Sequence, residues 1–463
     1  MKTLIRGGHV VTLAHSAAED AASSPGEHAA QRGDILIDGT RILAVGPDAA
    51  KAAGSSVLRV IDAAGCVVIP GFVQAHVHLC QTLMRGMADD LPLLAWLKER
   101  IWPLEAAHDE ASLYASARLG LHEMTLAGTT TILDMGTVHT HDAVFQACLE
   151  SGIRCFSGKA MMDTGVGVPR RLRESTQASL KESDRLRDRW HGKAEGSLRY
   201  AYAPRFILSC TEKLFRAVAE RTRARAGHDA ATPGGPLMHS HVAEHPGERD
   251  AVRAQLGADD VDVLRKWGFR GETAILAHGV QLTDAQARML AKDRTRIVHC
   301  PSANLKLGSG IARIAELDAL GVPLALGADG APCNNNMDPW TELRHAALLA
   351  KVRTGETAMP ALRALRLATR DGAEALGIGN ITGSIEAGKL ADLVVVRVDG
   401  PHAEPGVDLV SRLVYACKSS DVAHVFAKGQ HVVRNQEHQL WNEDDVLKAA
   451  RTHGPKFRAR AGL

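Results

Sequence analysis

The sequence predicts an α/β protein in which a (β/α)8 barrel of the TIM type is joined to a small β-sandwich domain built from both termini. Three observations lead to this prediction. Short apolar stretches alternate with longer amphipathic stretches through the middle of the chain. Both ends of the chain carry short alternating patterns separated by turn residues, as antiparallel strands do. Ligand-type side chains follow several of the central apolar stretches, where barrel strands carry their reactive groups.

Residues 1–69 are predicted to form the first part of the β-sandwich. Short β patterns occur here at residues 4–6, 9–13, 34–38, 41–45 and 57–61. Asp38-Gly39 is a typical hairpin turn between two of these patterns. Residues 14–32 are rich in Ala, Ser and Glu and are interpreted as a surface insertion without a catalytic function.

Residues 70–384 are predicted to contain the barrel. The candidate strands are residues 67–75, 129–134, 153–158, 199–204, 236–241, 274–278, 296–300 and 323–328. The candidate helices are residues 111–127, 140–151, 211–226, 247–256, 283–292 and 311–320. Eight strands that alternate with helices favour a closed parallel barrel.

The last part of the chain returns to β patterns. Residues 385–440 are predicted to complete the β-sandwich, so that the two terminal regions pack together beside the barrel. Residues 441–463 are predicted to form a C-terminal helix with a basic, solvated tail.

The composition argues against several classes of protein. A length of 463 residues suits a large catalytic domain with a smaller companion. The net charge is only +2 and no basic run is interleaved with aromatic residues, so nucleic acid is not an expected partner. The sequence contains no apolar segment long enough for a signal sequence or a membrane span, so we expect no membrane association and a cytoplasmic location. None of the eight cysteines forms a Cys-x-x-Cys pair, which argues against a zinc ribbon or a redox dithiol.

The motif His76-Val-His78 follows an apolar run and is the most informative feature of the chain. Side chains alternate along a strand, so these two histidines face the same way and can bind one ion. Alone, the pair would be read as two hydrogen-bonded histidines near a strand end. Later apolar runs, however, end in further ligand-type residues, namely His239, His241 with Glu244, His278 and Asp329. Three imidazoles and a carboxylate would suit one divalent metal, with Zn²⁺ expected and Fe²⁺ or Mn²⁺ as alternatives.

Such a metal lowers the pKa of a coordinated water to about 7 from about 15.7. Glu244 lies three residues after His241, where its carboxylate could reach the attacking water or the substrate. For Glu244 in isolation, a place in the first turn of a helix is an equally good explanation. Within this cluster, the proton-transfer role is preferred.

These motifs resemble the amidohydrolase superfamily, in the branch of adenosine, 5′-deoxyadenosine and guanine deaminases and chlorohydrolases. The similarity spans nearly the whole chain, from the entry around His76 to the Gly383-Ser-Ile-Glu-Ala-Gly-Lys-Leu-Ala-Asp392 segment. The resemblance implies a metal-dependent hydrolase barrel with the ligands His76, His78, His241 and Asp329. It also implies that Glu244, His278 and Asp329 are the catalytic residues, and that His239 is structural.

The resemblance further implies a hydrolytic deaminase that releases ammonia from a small-molecule substrate, an adenine nucleoside of the 5′-deoxyadenosine or adenosine type. In that branch, the residues that match Glu105 and Trp96 bind and pack against the ribose. Gln81, Arg205 and Phe206 also match guanine deaminases, in which they read and stack on the purine base. Asn304 lies in a loop shared by these branches and is included among the substrate contacts.

Other functions stay open at this stage. They are guanine or 8-oxoguanine deamination, s-triazine chlorohydrolase or aminohydrolase chemistry, and an inactive barrel that serves as an assembly subunit. A homo-oligomer is compatible with the resemblance. A second His-x-His motif, His139-Thr-His141, has no partner motif and is interpreted as a loop or helix-start feature, with a place at the pocket mouth as the alternative.

Overall fold

The computed structural model describes residues 2–14, 30–55, 58–224 and 235–462. The predicted insertion at residues 14–32 therefore lies almost entirely outside the described residues. The strands, numbered in chain order, are β1 (Lys2–Val10), β2 (Gln31–Asp38), β3 (Arg41–Gly46), β4 (Leu58–Asp62), β5 (Cys66–Pro70), β6 (Phe72–Val77), β7 (Thr129–Met135), β8 (Arg154–Gly158), β9 (Ala160–Met161), β10 (Leu198–Pro204), β11 (Leu237–Val242), β12 (Ala274–His278), β13 (Arg296–His299), β14 (Leu324–Leu326), β15 (Leu393–Arg397), β16 (Val422–Ala427), β17 (Gln430–Arg434) and β18 (Glu437–His438).

One sheet combines strands from both terminal regions, as the sequence predicts. Its order is β18-β17-β16-β15-β5-β1-β2-β3, and β4 pairs with β1. The sequence predicts separate strands at residues 4–6 and 9–13. This prediction is wrong, because one strand, β1, runs from Lys2 to Val10. A shift of register between Ile5 and Gly8 interrupts the pairing of β1 with β2, as a bulge does.

The second sheet is the barrel, and it confirms the predicted architecture. Its strands β6, β7, β8 and β10 to β14 run in sequence order, with parallel pairing between neighbours. A parallel bridge between Val77 and Asp329 connects the first and last strands. The short strand β9 adds to β10 beyond the end of β8. Closure brings the carboxyl end of β6 beside the loop that follows β14.

The predicted strand at residues 67–75 is in fact two strands in two sheets. β5 pairs with β15 in the terminal sheet, whereas β6 pairs with β7 in the barrel. The chain changes sheets at Gly71, where an added Cβ would lie 2.1 Å from Thr130 Oγ1. Only glycine fits so close to a neighbouring strand. A single apolar run therefore joins the terminal sheet to the barrel.

Helices surround the barrel and cover its ends. They are α1 (Leu93–Trp96), α2 (Trp102–Ala106), α3 (Glu110–Leu126), α4 (Asp142–Ser151), α5 (Thr176–Trp190), α6 (Glu212–Ala224), α7 (Pro246–Leu256), α8 (Asp260–Lys266), α9 (Asp284–Asp293), α10 (Pro301–Lys306), α11 (Ile314–Ala319), α12 (Ala331–Asn334), α13 (Pro339–Thr354), α14 (Ala361–Leu367), α15 (Arg370–Ala375), α16 (Leu409–Tyr415) and α17 (Glu443–Ala461). Each of the six predicted helices matches one of these, with small shifts at the ends. Within the described residues, no helix combines the length and the apolar character needed to cross a bilayer.

Candidate active site and metal centre

The barrel brings together all four residues that were predicted to bind a metal. His76 and His78 lie at the end of β6, His241 lies near the end of β11, and Asp329 follows β14. One ligand atom from each residue lies within 4.8 Å of the others. His76, His78 and Asp329 are buried, and His241 is partly buried. His78 Nε2 is 3.2 Å from His241 Nε2, and His76 Nε2 is 3.3 Å from Asp329 Oδ1. We call these four residues the metal-binding group.

Backbone carbonyls orient two of the three imidazoles. His78 Nδ1 lies 2.7 Å from the carbonyl oxygen of Met135, and His241 Nδ1 lies 2.7 Å from that of Arg205. A carbonyl only accepts hydrogen bonds, so each Nδ1 carries the proton and each Nε2 keeps its lone pair. Hydrogen bonds of this kind hold metal-binding histidines in the productive orientation.

The protonation of the group also suits a cation. Burial lowers the pKa of His78 to about 3 and lowers the pKa of His76 and His241 as well, so the rings are neutral near pH 7. Burial alone would raise the pKa of Asp329, but its close contact with His76 holds the pKa well below its usual range. His76 Nε2 is buried and has no hydrogen-bond partner. Three neutral nitrogens and one carboxylate therefore fit a divalent cation.

Glu244 and His278 lie next to the metal-binding group. His278 Nε2 is 3.5 Å from Glu244 Oε2 and 3.8 Å from Asp329 Oδ2. Burial, together with the Asp329 carboxylate, raises the pKa of Glu244 well above its usual value. The three predicted catalytic side chains thus form one contiguous set in which Glu244 can hold a proton and Asp329 can accept one.

The backbone is strained where two of these side chains are presented. His278 has a φ of +77° and Asp329 has a φ of +63°, although neither residue is glycine. A residue with a Cβ rarely adopts this left-handed region, and such strain concentrates at functional sites. Nothing in the sequence pattern signals these conformations.

A pocket of about 370 Å³, including the part open to solvent, lies over the metal-binding group. Four of the predicted substrate contacts line it, namely Gln81, Trp96, Arg205 and Phe206. Leucines that the sequence analysis did not single out complete the wall, namely Leu93, Leu97 and Leu307. Their pattern is indistinguishable from that of ordinary core leucines, so the sequence offers no signal for them.

Glu105 does not line the pocket but lies directly behind it. Its Oε2 accepts a hydrogen bond from Arg205 Nη1 at 2.5 Å, and its Oε1 accepts one from Gln81 Nε2 at 2.8 Å. Only 2% of Glu105 is exposed. A π-helical turn at Leu97–Ile101 lies between α1, which carries Trp96, and α2, which carries Glu105. Direct contact of Glu105 with a ribose stays a prediction.

Asn304 also lies outside the pocket lining. Its Oδ1 accepts a hydrogen bond from His278 Nδ1 at 2.9 Å, so Asn304 contacts a predicted catalytic residue. The second His-x-His motif does not line the pocket either. His141 is buried against Ser157, and His139 contacts the carbonyl of Arg171.

The fold and the site together define a class of protein. A closed (β/α)8 barrel that gathers three histidines and an aspartate at its strand ends, beside a carboxyl group able to hold a proton, is a hydrolase barrel with a metal-binding group. The model of the amidohydrolase family matches residues 67–432. The chain belongs to this family and is a hydrolase that acts on carbon–nitrogen bonds in cyclic amidines.

Individual proteins give the same assignment. The 5-methylthioadenosine/S-adenosylhomocysteine deaminase of Moorella thermoacetica is 38% identical over 417 residues, which cover 90% of this chain and 93% of that protein. The 5′-deoxyadenosine deaminase of Methanothermobacter thermautotrophicus is 37% identical over 421 residues, which cover 91% of this chain and 93% of that protein. The crystal structure of an adenosine deaminase from Xanthomonas campestris with bound zinc aligns with a TM-score of 0.87 at 30% identity, and covers 99% of this chain and 98% of that one.

Proposed function

We propose that this protein is a metal-dependent deaminase that hydrolyses an adenine nucleoside, of the 5′-deoxyadenosine or adenosine type, and releases ammonia. The observation that carries the proposal is the contiguous set of Glu244, His278 and Asp329 beside the metal-binding group. The names of the relatives that are 38% and 37% identical support the same substrate class.

The proposed reaction divides proton handling between two carboxyl groups. Glu244, whose pKa is raised by burial, holds a proton that it can deliver to a ring nitrogen of the purine. Asp329, whose pKa lies well below its usual range, stays ionised and can accept a proton from the attacking water. It can then return that proton to the amino group, which leaves as ammonia, while Glu244 recovers a proton from the new hydroxyl group. His278 donates from Nδ1 to Asn304, so its Nε2 lone pair can orient that water. A divalent cation, with Zn²⁺ expected, supplies Lewis-acid activation of the water.

The pocket wall supports a nucleoside with a small apolar 5′ group. Leu93, Leu97 and Leu307 line the pocket together with Trp96, whereas the charged side chains are gathered around the metal-binding group and Arg205. Apolar side chains favour a methyl or thioether substituent over a charged one, because burying a charge without a partner is costly. 5′-Deoxyadenosine, which carries a methyl group at this position, is therefore preferred over nucleosides with a charged 5′ substituent.

One observation favours a second candidate, the deamination of guanine or 8-oxoguanine. Arg205 and Gln81 both line the pocket and both carry N–H donors. Donors of this kind suit a carbonyl oxygen on the base, which adenine lacks. The purine base, rather than the ribose, would then be the main determinant of binding.

Parallel assays of ammonia release separate these candidates. The zinc-loaded protein would be given 5′-deoxyadenosine, adenosine, methylthioadenosine, S-adenosylhomocysteine, guanine, 8-oxoguanine and a chlorotriazine. We expect the highest kcat/KM with 5′-deoxyadenosine. Turnover of a free purine base alone, or of the triazine alone, would contradict the nucleoside proposal.

A further inference from the structure

His239 is a buried histidine that contacts the metal-binding group without belonging to it. It lies on β11, two residues before the ligand His241, and its side chain is fully buried. Its Nε2 is 2.7 Å from His76 Nδ1, and its Nδ1 is 3.0 Å from the carbonyl oxygen of Ile275. A chain of two hydrogen bonds therefore leads from the backbone of β12 through His239 to His76.

When both imidazole rings are neutral, only one placement of the ring hydrogens satisfies both of these hydrogen bonds. The Ile275 carbonyl can only accept, so His239 Nδ1 must carry the proton and His239 Nε2 must be an acceptor. His76 Nδ1 is then the donor across the 2.7 Å contact. His76 Nε2 is consequently left with a lone pair, and this is the atom that faces Asp329. Complete burial of both rings favours the neutral forms that this placement requires.

The Nδ1 atom of His76 is held by a different kind of partner from the Nδ1 atoms of the other two imidazoles in the metal-binding group. His78 and His241 obtain their orientation directly from backbone carbonyls, which no substitution removes. The Nδ1 atom of His76 is instead held by a side chain. We infer that His239 is a positioning residue that fixes the tautomer of His76 and thereby completes the metal-binding group. The inference rests on the proposed metal site but not on the identity of the substrate.

Loss of His239 has a specific expected consequence. Without an acceptor at its Nδ1, His76 is free to carry the proton on Nε2 and to donate it to Asp329 Oδ1, which lies 3.3 Å away. Two ligands would then be hydrogen-bonded to each other, and a cation would have to displace that proton before it could bind. Removal of a partner that orients a metal ligand typically costs about 10–100-fold in metal affinity.

The test compares two variants that differ in hydrogen-bonding capacity. His239→Leu fills part of the space and can neither donate nor accept, whereas His239→Gln has an amide that can donate to the Ile275 carbonyl and accept from His76. Zinc affinity would be measured by competition with a chromophoric chelator. We expect His239→Leu to bind zinc about 10–100-fold more weakly than the wild type, and His239→Gln to recover much of that loss.

A control variant separates this effect from the general loss of a buried histidine. His431, on β17 in the terminal sheet, is also buried, and it contacts Arg59 and His424. We expect His431→Leu to lower thermal stability without changing the zinc affinity. Zinc binding by His239→Leu that equals that of the wild type would overturn the inference.

A measurement on the wild type keeps the inference testable if His239→Leu does not fold. Long-range ¹H–¹⁵N spectra of the metal-free protein, labelled on histidine, report which ring nitrogen of His76 carries the proton. We expect protonated Nδ1, and protonated Nε2 would refute the inference. Failure of the wild type to bind zinc would instead refute the proposed metal site, and the two failures are therefore distinguishable.

Discussion

Glu244 Oε2 lies 3.5 Å from His278 Nε2, at the edge of the metal-binding group. Two side chains at the carboxyl ends of consecutive barrel strands, β11 and β12, thus meet at the point where a substrate in the pocket would contact both. Burial, with the charge of Asp329, favours the protonated form of Glu244 and so suits it to donate a proton.

Glu244→Gln should reduce kcat by about 10²–10⁴-fold, because an amide cannot deliver a proton to the ring nitrogen of the purine. Zinc content and the KM for the nucleoside should change little, since Glu244 is outside the metal-binding group. Steady-state ammonia release and metal analysis of the same preparation test this. Glu212→Gln, a change at an exposed helix residue, is the control. A Glu244→Gln enzyme with near-normal kcat would assign proton donation to another group.

Asn304→Ala should lower kcat while leaving KM nearly unchanged. The Asn304 amide oxygen accepts the hydrogen bond from His278 Nδ1 at 2.9 Å, so its loss frees the ring to turn or to change tautomer. The sequence instead predicts that Asn304 contacts the substrate, and loss of a substrate contact would raise KM. Measurement of kcat and KM with 5′-deoxyadenosine decides between these roles. A lower kcat would assign Asn304 to the positioning of His278, and a higher KM would assign it to substrate contact.

Glu105→Gln should destabilise the protein and raise the KM for nucleosides. The change leaves the buried guanidinium of Arg205 without its carboxylate partner, and breaking a buried pair in this way typically costs about 3–5 kcal/mol. Urea unfolding measures the first effect. A raised KM would follow if Glu105 binds the ribose, and also if it only holds Arg205 and Gln81 in the pocket wall. An unchanged KM would remove the predicted ribose contact. Glu105→Leu combined with Arg205→Met, which removes both charges, should be less destabilising than Glu105→Gln alone.

Gly71→Ala should destabilise the junction between the two sheets by about 1–3 kcal/mol, as overpacking typically does. The new methyl group would lie 2.1 Å from Thr130 Oγ1. The matched control is Gly454→Ala, because a Cβ at Gly454 meets no atom within 4 Å. Thermal unfolding of both variants tests the prediction. If Gly71→Ala and Gly454→Ala had equal melting temperatures, strand β7, which carries Thr130, would accommodate the new methyl group without cost.

Sequence periodicity was sufficient for the barrel and for placing ligand-type side chains at strand ends, whereas the resemblance to the amidohydrolase superfamily selected the four residues of the metal-binding group. The alternation in His76-Val-His78 and the apolar run before Asp329 place ligand atoms at strand ends, and closure of the barrel brings those ends together. The division of residues 67–75 between two sheets was missed, because both strands are apolar and the only local signal is Gly71. Helix α5 was missed because its sequence is mostly polar.

Contacts between distant residues were beyond the reach of local patterns. His239 was assigned a structural role, but its hydrogen bond to His76 joins positions 163 residues apart in the chain. The pairing of Glu105 with Arg205 likewise depends on how α2 packs behind the pocket. These features follow from tertiary packing, for which one sequence carries no periodic signal.

Four residues from distant parts of the barrel are proposed to bind one catalytic cation. Anomalous X-ray diffraction from crystals of the zinc-loaded protein would locate that cation. We predict a single zinc peak at about 2.0–2.2 Å from His76 Nε2, His78 Nε2, His241 Nε2 and a carboxylate oxygen of Asp329. A zinc-loaded crystal with no peak among these four atoms, from protein that still releases ammonia from its substrate, would contradict the account.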